Sequence, residues 1–253
     1  MTLRPLLILG ALMLTLSCGK RQDPQGHATG KRAVSEKLPK LRVPRILENL
    51  EIDGQLDEAA WQHAAVSTPF VNTMHGTPSK LNVVSRWLWN ETYLYVAFEV
   101  GDTFLNSTFA RRDDHLWEQD AVEMLIAPFG ERAHYYEIQV SPTGNVFDTR
   151  FDSRRRPAPY GHVDWTSRIT AKVAVRGTVN DARPDRGYTV ELGIPWNALG
   201  CDSRSLNGLV FRANLFVLDA LKAGGQQACG WSPPLVGDFH AVERFGIIEL
   251  VDS

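Results

Sequence analysis

The chain is short of the residues that metal, redox and nucleophilic chemistry draw on. Its 253 residues hold three cysteines and four methionines, and its seven histidines show no zinc-type spacing. No twelve-residue calcium loop occurs, and no Ser/His/Asp or Cys/His arrangement stands out. The apolar run Leu6 to Leu16 has 11 residues, too few for a membrane-crossing helix, which needs about 20. Neither sign of charge dominates, with 27 Lys/Arg against 29 Asp/Glu, but the two are unevenly spread. Gly19 to Arg45 carries eight basic and two acidic residues, whereas the chain from Ile46 onward carries 18 basic and 27 acidic. An acidic main body excludes nucleic acid as partner, because phosphate needs a positive surface.

Residues Met1 to Ser17 read as a secretory signal, with Arg4 as the positive start. The run ends at Ser17-Cys18-Gly19, which resembles a bacterial lipoprotein processing site whose cysteine carries the lipid. An exported cell-envelope lipoprotein follows, at the outer membrane or cell surface, with the membrane as partner through Cys18. The expected organisation is a signal over 1–18, a flexible basic linker over 19–46, and one domain over 47–253. Export to an oxidising compartment leaves Cys201 and Cys229 as a disulfide pair, the alternative being two free thiols.

Strand patterning dominates the domain. Leu94, Val96, Phe98 and Val100 alternate with Tyr95, Ala97 and Glu99; Val122, Met124 and Ile126 alternate with Ala121, Glu123 and Leu125. Tyr188 to Ile194 and Phe211 to Val217 repeat the period of two that marks half-buried strands. Further strands are predicted over Asn82–Trp89, Tyr135–Val140, Val146–Phe151, Arg168–Arg176 and Phe245–Val251. Turn residues such as Pro184-Asp185-Arg186-Gly187 and Asn207-Gly208 separate them. One short helix is predicted from Asp57 as N-cap through Trp61. Nine or ten antiparallel strands with so little helix mean an all-β sandwich.

Several segments carry a resemblance. Ile52-Asp53-Gly54-Gln55-Leu56-Asp57 with Glu58-Ala59-Ala60-Trp61, Leu88-Trp89-Asn90-Glu91-Thr92-Tyr93-Leu94-Tyr95, Trp117 to Glu123, Tyr135-Tyr136-Glu137, Trp231-Ser232-Pro233-Pro234 and Phe245-Gly246 stand in order between Leu50 and Val251. Together they resemble the family 9 carbohydrate-binding modules and their DOMON-like relatives. The resemblance implies an antiparallel β-sandwich, immunoglobulin-like or jelly-roll-like, that holds a terminal sugar between two aromatic side chains. It places Trp117 on one aromatic position, Phe239 near the other, Glu123 on an acidic hydrogen-bonding position and Asn214 near an amide position. Gln139 stands where an arginine is usual, and Phe239 where a tryptophan is.

The residues themselves support such a site. A flat ring covers the apolar C–H face of a pyranose, and a carboxylate accepts hydrogen bonds from its hydroxyls. Glu123 needs donors, from a ligand or from Arg86 or Arg212. Arg212 and Asn214 share parity and so one sheet face, and His240 and Asp238 flank Phe239 in a loop. Arg154-Arg155-Arg156-Pro157 reads as a solvated turn. Trp61, Trp87, Trp89, Trp165 and Trp196 read as core or structural. The expected function is carbohydrate binding without catalysis, accessory to polysaccharide breakdown, with no cofactor; a structural calcium on scattered oxygens stays open. Three rivals stand beside it: glycoside hydrolysis by Glu118, Asp120, Glu123 and Glu137, a protein-binding scaffold, and a haem module using Met74 or Met124 with a histidine.

Overall fold

A computed structural model describes residues 37–130 and 134–252 of the protein. In chain order its strands are β1 Lys40–Pro44, β2 Ala65–Val66, β3 Val71–Asn72, β4 Asn82–Trp89, β5 Tyr93–Gly101, β6 Ala121–Ala127 and β7 Tyr135–Val140. They continue with β8 Val146–Phe151, β9 Thr170–Val175, β10 Tyr188–Pro195, β11 Val210–Ala220, β12 Gln226–Gly230 and β13 Gly246–Val251. Two sheets result. One has five strands in the order β2-β4-β5-β10-β9. The other has eight, in the order β1-β13-β11-β6-β7-β8, with β12 on β11 and β3 on β12. Every pairing is antiparallel except that of β1 with β13.

The period of two fixes which side chains meet between the sheets. Leu94, Val96, Phe98 and Val100 of β5, with Val190, Leu192 and Ile194 of β10, share one buried core with Val122, Met124 and Ile126 of β6 and Leu215 and Val217 of β11. Each such side chain contributes about 1.5–3 kcal/mol on leaving water. Trp87, Trp89 and Trp196 are buried in the same core, and their indole N–H groups donate to Ser85 Oγ and to the Val43 and Asn90 carbonyls. The reverse face of β5 is also covered: Tyr95 and Ala97 pack with Leu50, Leu88 and Trp61.

Several expectations need correction. Residues 40–44, assigned to the linker, form edge strand β1, whose Leu41 and Val43 enter the core. The rest of that linker up to residue 36, the signal and Cys18 lie outside the described residues. The predicted helix is a 3-10 turn over Ala59–His63, with Glu58 rather than Asp57 at its N-cap and no side-chain cap. The expected disulfide is not formed: Cys201 and Cys229 are free thiols. Cys201 follows β10 of the smaller sheet, while Cys229 lies in β12 of the larger one. Burial pushes both thiols up to about 11.

Candidate functional site

The outward face of the eight-stranded sheet is built from the residues that alternate with the core. Register sets Phe216 of β11 beside Glu123 of β6, Glu123 beside Gln139 of β7, and Gln139 beside Phe147 of β8. The next row on that face runs Asn214, Leu125, Glu137 and Thr149. An ordinary sheet face would be solvated there. Here the 3-10 turn Leu116–Glu118, the loop after β8 and the loop before β13 rise around it, leaving a hollow of about 370 Å³.

Glu123, Gln139 and Glu137 form the floor, and Trp117, Phe239, Tyr160, Phe147, Arg155 and His240 stand around it. The two rings expected to sandwich a ligand are each backed by another ring. Phe239 stacks on Phe216 at 4.2 Å between centroids, and Trp117 stacks on His115 at 4.4 Å and meets the edge of Phe147 at 5.1 Å. Such contacts limit rotamer freedom, so the aromatic faces are set before any ligand arrives.

The floor is strained electrostatically. Gln139 Nε2 donates to Glu123 Oε2 at 3.1 Å and to Glu137 Oε1 at 2.6 Å, which orients the amide with its nitrogen towards the two acids. Burial pushes the Glu123 carboxyl well up, and neighbouring Glu137 pushes it further. Burial lifts Glu137 to about 7, against the opposing pulls of Gln139 and Arg155. Burial also drives His240 down to about 3, so its imidazole is neutral near pH 7. Tyr135 Oη accepts from the Arg155 amide at 3.0 Å, and its hydroxyl donates to His240 Nδ1 at 2.8 Å. The histidine proton then belongs on Nε2, which faces Glu137 Oε2 at 3.6 Å. Two buried acceptors, Glu123 Oε1 and Gln139 Oε1, have no hydrogen-bond partner. Left so, each such atom costs about 1–3 kcal/mol.

The structure thus brings Trp117, Glu123, Gln139, Phe239 and His240 to one hollow and leaves two expected residues out of it. Asn214 has the expected parity, but the chain after β12 folds over it. Its Nδ2 donates to the Ser232 carbonyl at 2.7 Å and its Oδ1 accepts from the Ser232 amide at 3.0 Å. Arg212 lies further along and donates to the Phe245 carbonyl at 3.0 Å. Neither Arg212 nor Arg86 is the partner of Glu123: Arg86 pairs with Glu99 at 2.7 Å. The Arg154–Arg156 run is not merely a solvated turn, since Arg155 lines the hollow and binds Asp238 at 2.8 Å. Glu137, Arg155, Phe147 and Tyr160 are the additions to the site.

The acidic cluster read from the sequence divides. Glu118 is exposed beside His115, Glu123 and Glu137 stay on the floor, and Asp120 turns elsewhere. There it joins Asp102 and Asp219, one oxygen from each within 4.8 Å of the others. Asp120 accepts from the Asn106 and Ala220 amides at 2.6 Å each, and Asp219 from Gln227 at 2.5 Å. Burial lifts Asp120 to about 7 and Asp102 to about 6.

A two-sheet β-sandwich whose sheet face carries a walled, aromatic-rimmed hollow with hydrogen-bonding groups at its floor defines a ligand-binding module of the carbohydrate-recognising kind. Residues 52–253 match the model of the family described as carbohydrate family 9 binding domain-like, and the chain belongs to that family. It is 27% identical over 203 residues to endo-1,4-beta-xylanase A of Thermotoga maritima and 24% identical over 196 residues to the exoglucanase XynX of Acetivibrio thermocellus. Those matches take in 79% and 77% of this chain but 17% and 16% of the relatives, so the chain spans about a sixth of their length. Among solved structures, a family 9 carbohydrate-binding module of Caldicellulosiruptor kristjanssonii in complex with cellotriose superposes with a TM-score of 0.60 at 21% identity, covering 85% of this chain and 94% of that one. A protein of Bacteroides uniformis superposes with a TM-score of 0.68 at 16% identity, covering 85% of this chain and all of the other. At these identities the structural likeness speaks for the fold.

Proposed function

We propose that the protein binds a carbohydrate in the hollow and does not cleave it. The observation that carries this reading is the pair of buried, unpartnered oxygens, Glu123 Oε1 and Gln139 Oε1, at the floor of an aromatic-rimmed hollow. A pyranose supplies what both parts lack. Its C–H faces cover Trp117 and Phe239, and its hydroxyls donate to Glu123 and Gln139. His240 holds Glu137 in place from the side. The complex of the Caldicellulosiruptor module with cellotriose supports the class of ligand.

Glycoside hydrolysis is the reading with the most to recommend it otherwise, since Glu123 and Glu137 share one hollow. A hydrolase, however, sets its two carboxyls on either side of the scissile bond. Here both rise from neighbouring strands of one sheet and share a single amide, so both address a ligand from below. We extend the proposal to the cell: an exported protein, anchored by lipid at Cys18, that holds polysaccharide fragments for separate hydrolases. Membrane display would offset weak single-site affinity through multivalency. A glycan array and calorimetry on the purified protein test the binding reading. Binding lost in Trp117→Ala with the fold intact supports it; a blank array, or sustained release of reducing sugar, overturns it.

A further inference from the structure

The hydrogen bonding of the hollow is one-sided. Gln139 spends its amide hydrogens on Glu123 and Glu137. Arg155 is committed to Asp238, and Arg154 to Asp238 and Glu243, so these two cations are matched by two carboxylates. Gln226 Nε2 donates to the Trp117 and Gln119 carbonyls. The floor itself is therefore two carboxyls and an amide carbonyl, while the nitrogen donors Arg155 and His240 stand at its side. Among the described residues, no Lys or Arg lies within ion-pair distance of Glu123 or Glu137: neutral His240 stands 3.6 Å from Glu137, and Arg155 acts on both acids only from the wall of the hollow.

A floor of that kind discriminates between the groups a sugar can present. A hydroxyl brings one hydrogen and no charge. An N-acetyl group brings one N–H, no charge, and a carbonyl for which the floor amide has no hydrogen to spare. An ammonium brings three hydrogens and the positive charge that two buried carboxyls lack, and charge-assisted hydrogen bonds are about twice as strong as neutral ones. Resting on the carbohydrate reading above, we propose that the hollow selects sugars bearing a free amino group: a hexosamine whose ammonium sits between Glu123, Glu137 and the Gln139 carbonyl, with the ring held by the aromatic rim.

The groups facing Glu137 are Tyr135 and Gln139 of its own strand, Glu123 of β6, Arg155 from the loop after β8 and His240 from the loop before β13. Of these, Glu123 and Glu137 hold protons that an arriving cation displaces, since burial raises both carboxyls. Binding of an amine at pH 6 thus releases protons, and binding of a neutral sugar does not.

The test is calorimetry on the whole protein with three β-1,4-linked tetramers alike but for the group at C2: glucose, glucosamine and N-acetylglucosamine. The expected result is affinity about tenfold higher for the glucosamine tetramer than for the glucose tetramer. Titrations at pH 6 in buffers of different ionisation enthalpy should show proton release with the amine alone. Glu137→Gln should bring the preference down towards parity, and the proton count on the unmodified protein gives the answer even where that variant does not fold. Glucose-tetramer binding equal to or tighter than that of the glucosamine tetramer overturns this inference and leaves the carbohydrate reading standing. Silence of all three tetramers, with a blank glycan array, overturns both.

Discussion

Glu123 shows how a binding function imposes a cost on one side chain. Its carboxyl is buried on a sheet face, receives one amide hydrogen from Gln139, and keeps its second oxygen unpartnered beside another acid. No packing requirement explains such an arrangement, because an uncharged group of the same shape would be more comfortable there. Glu123→Gln should therefore raise the melting temperature at pH 8 while lowering sugar affinity about tenfold or more, a trade readable by paired melting and calorimetry. Trp117→Ala should lower affinity by about tenfold and destabilise far less than a core change, since its half-buried ring stands at the rim, packed on the small Leu116–Ala121–Phe147–Leu218 cluster and outside the main core. Equal destabilisation by Trp117→Ala and by a core change such as Trp87→Ala would show that Trp117 serves packing instead. Trp117 and Glu123 were legible as an aromatic and an acid beside a strand, and Phe239 only through the family resemblance. Glu137 was legible only as one of four clustered acids, not as the register partner that shares Gln139 with Glu123, and Arg155 was not legible at all. Their approach depends on the β6–β7 register and on the path of a loop, and neither is written in a local pattern.

Among the elements, the strands that alternate cleanly are the ones sequence reasoning places well. Asn82–Trp89, Tyr135–Val140 and Val146–Phe151 match β4, β7 and β8 residue for residue. The strands it missed are edge or peripheral ones. Lys40-Leu41-Arg42-Val43-Pro44 and Gln226-Gln227-Ala228-Cys229-Gly230 are polar, short and rich in residues that read as linker. Basic residues and proline at a sheet edge are also how a β-protein discourages pairing with another copy. Asn214 fails for a different reason: strand parity gave its face, but only the fold could reveal that Ser232 claims both ends of its amide. Gly246 of β13 shows how tightly that same region is closed, since a Cβ there would lie 2.2 Å from the Trp231 ring. Gly246→Ala should cost about 1–3 kcal/mol through forced repacking, measured by chemical denaturation. A neutral result would mean that Trp231 moves freely.

For the whole molecule, the raised carboxyls combine into a pH dependence of stability. Burial lifts Glu137, Asp120 and Glu191 to about 7 and Asp102 to about 6. Between their ordinary values near 4 and these raised ones, the folded state binds more protons than the unfolded state, so stability falls as pH rises through that window. His240, held down to about 3, acts the other way: over roughly pH 3 to 6.5 the folded state binds fewer protons there, and stability rises with pH. Four acids against one histidine give the acids the larger share. The melting temperature should be higher near pH 5.5 than at pH 8, and a flat profile between them would contradict the burial of these groups.

The parallel pairing of β1 with β13 has a mechanical meaning. β1 and β13 run side by side in one direction, with Lys40 opposite Ile247 and Pro44 opposite Val251. Traction applied at residue 40 and residue 251 therefore slides the two strands along each other, loading their whole ladder of bonds at once instead of peeling it link by link. Single-molecule pulling from the two ends should accordingly show one abrupt, high-force rupture, with no succession of small ones.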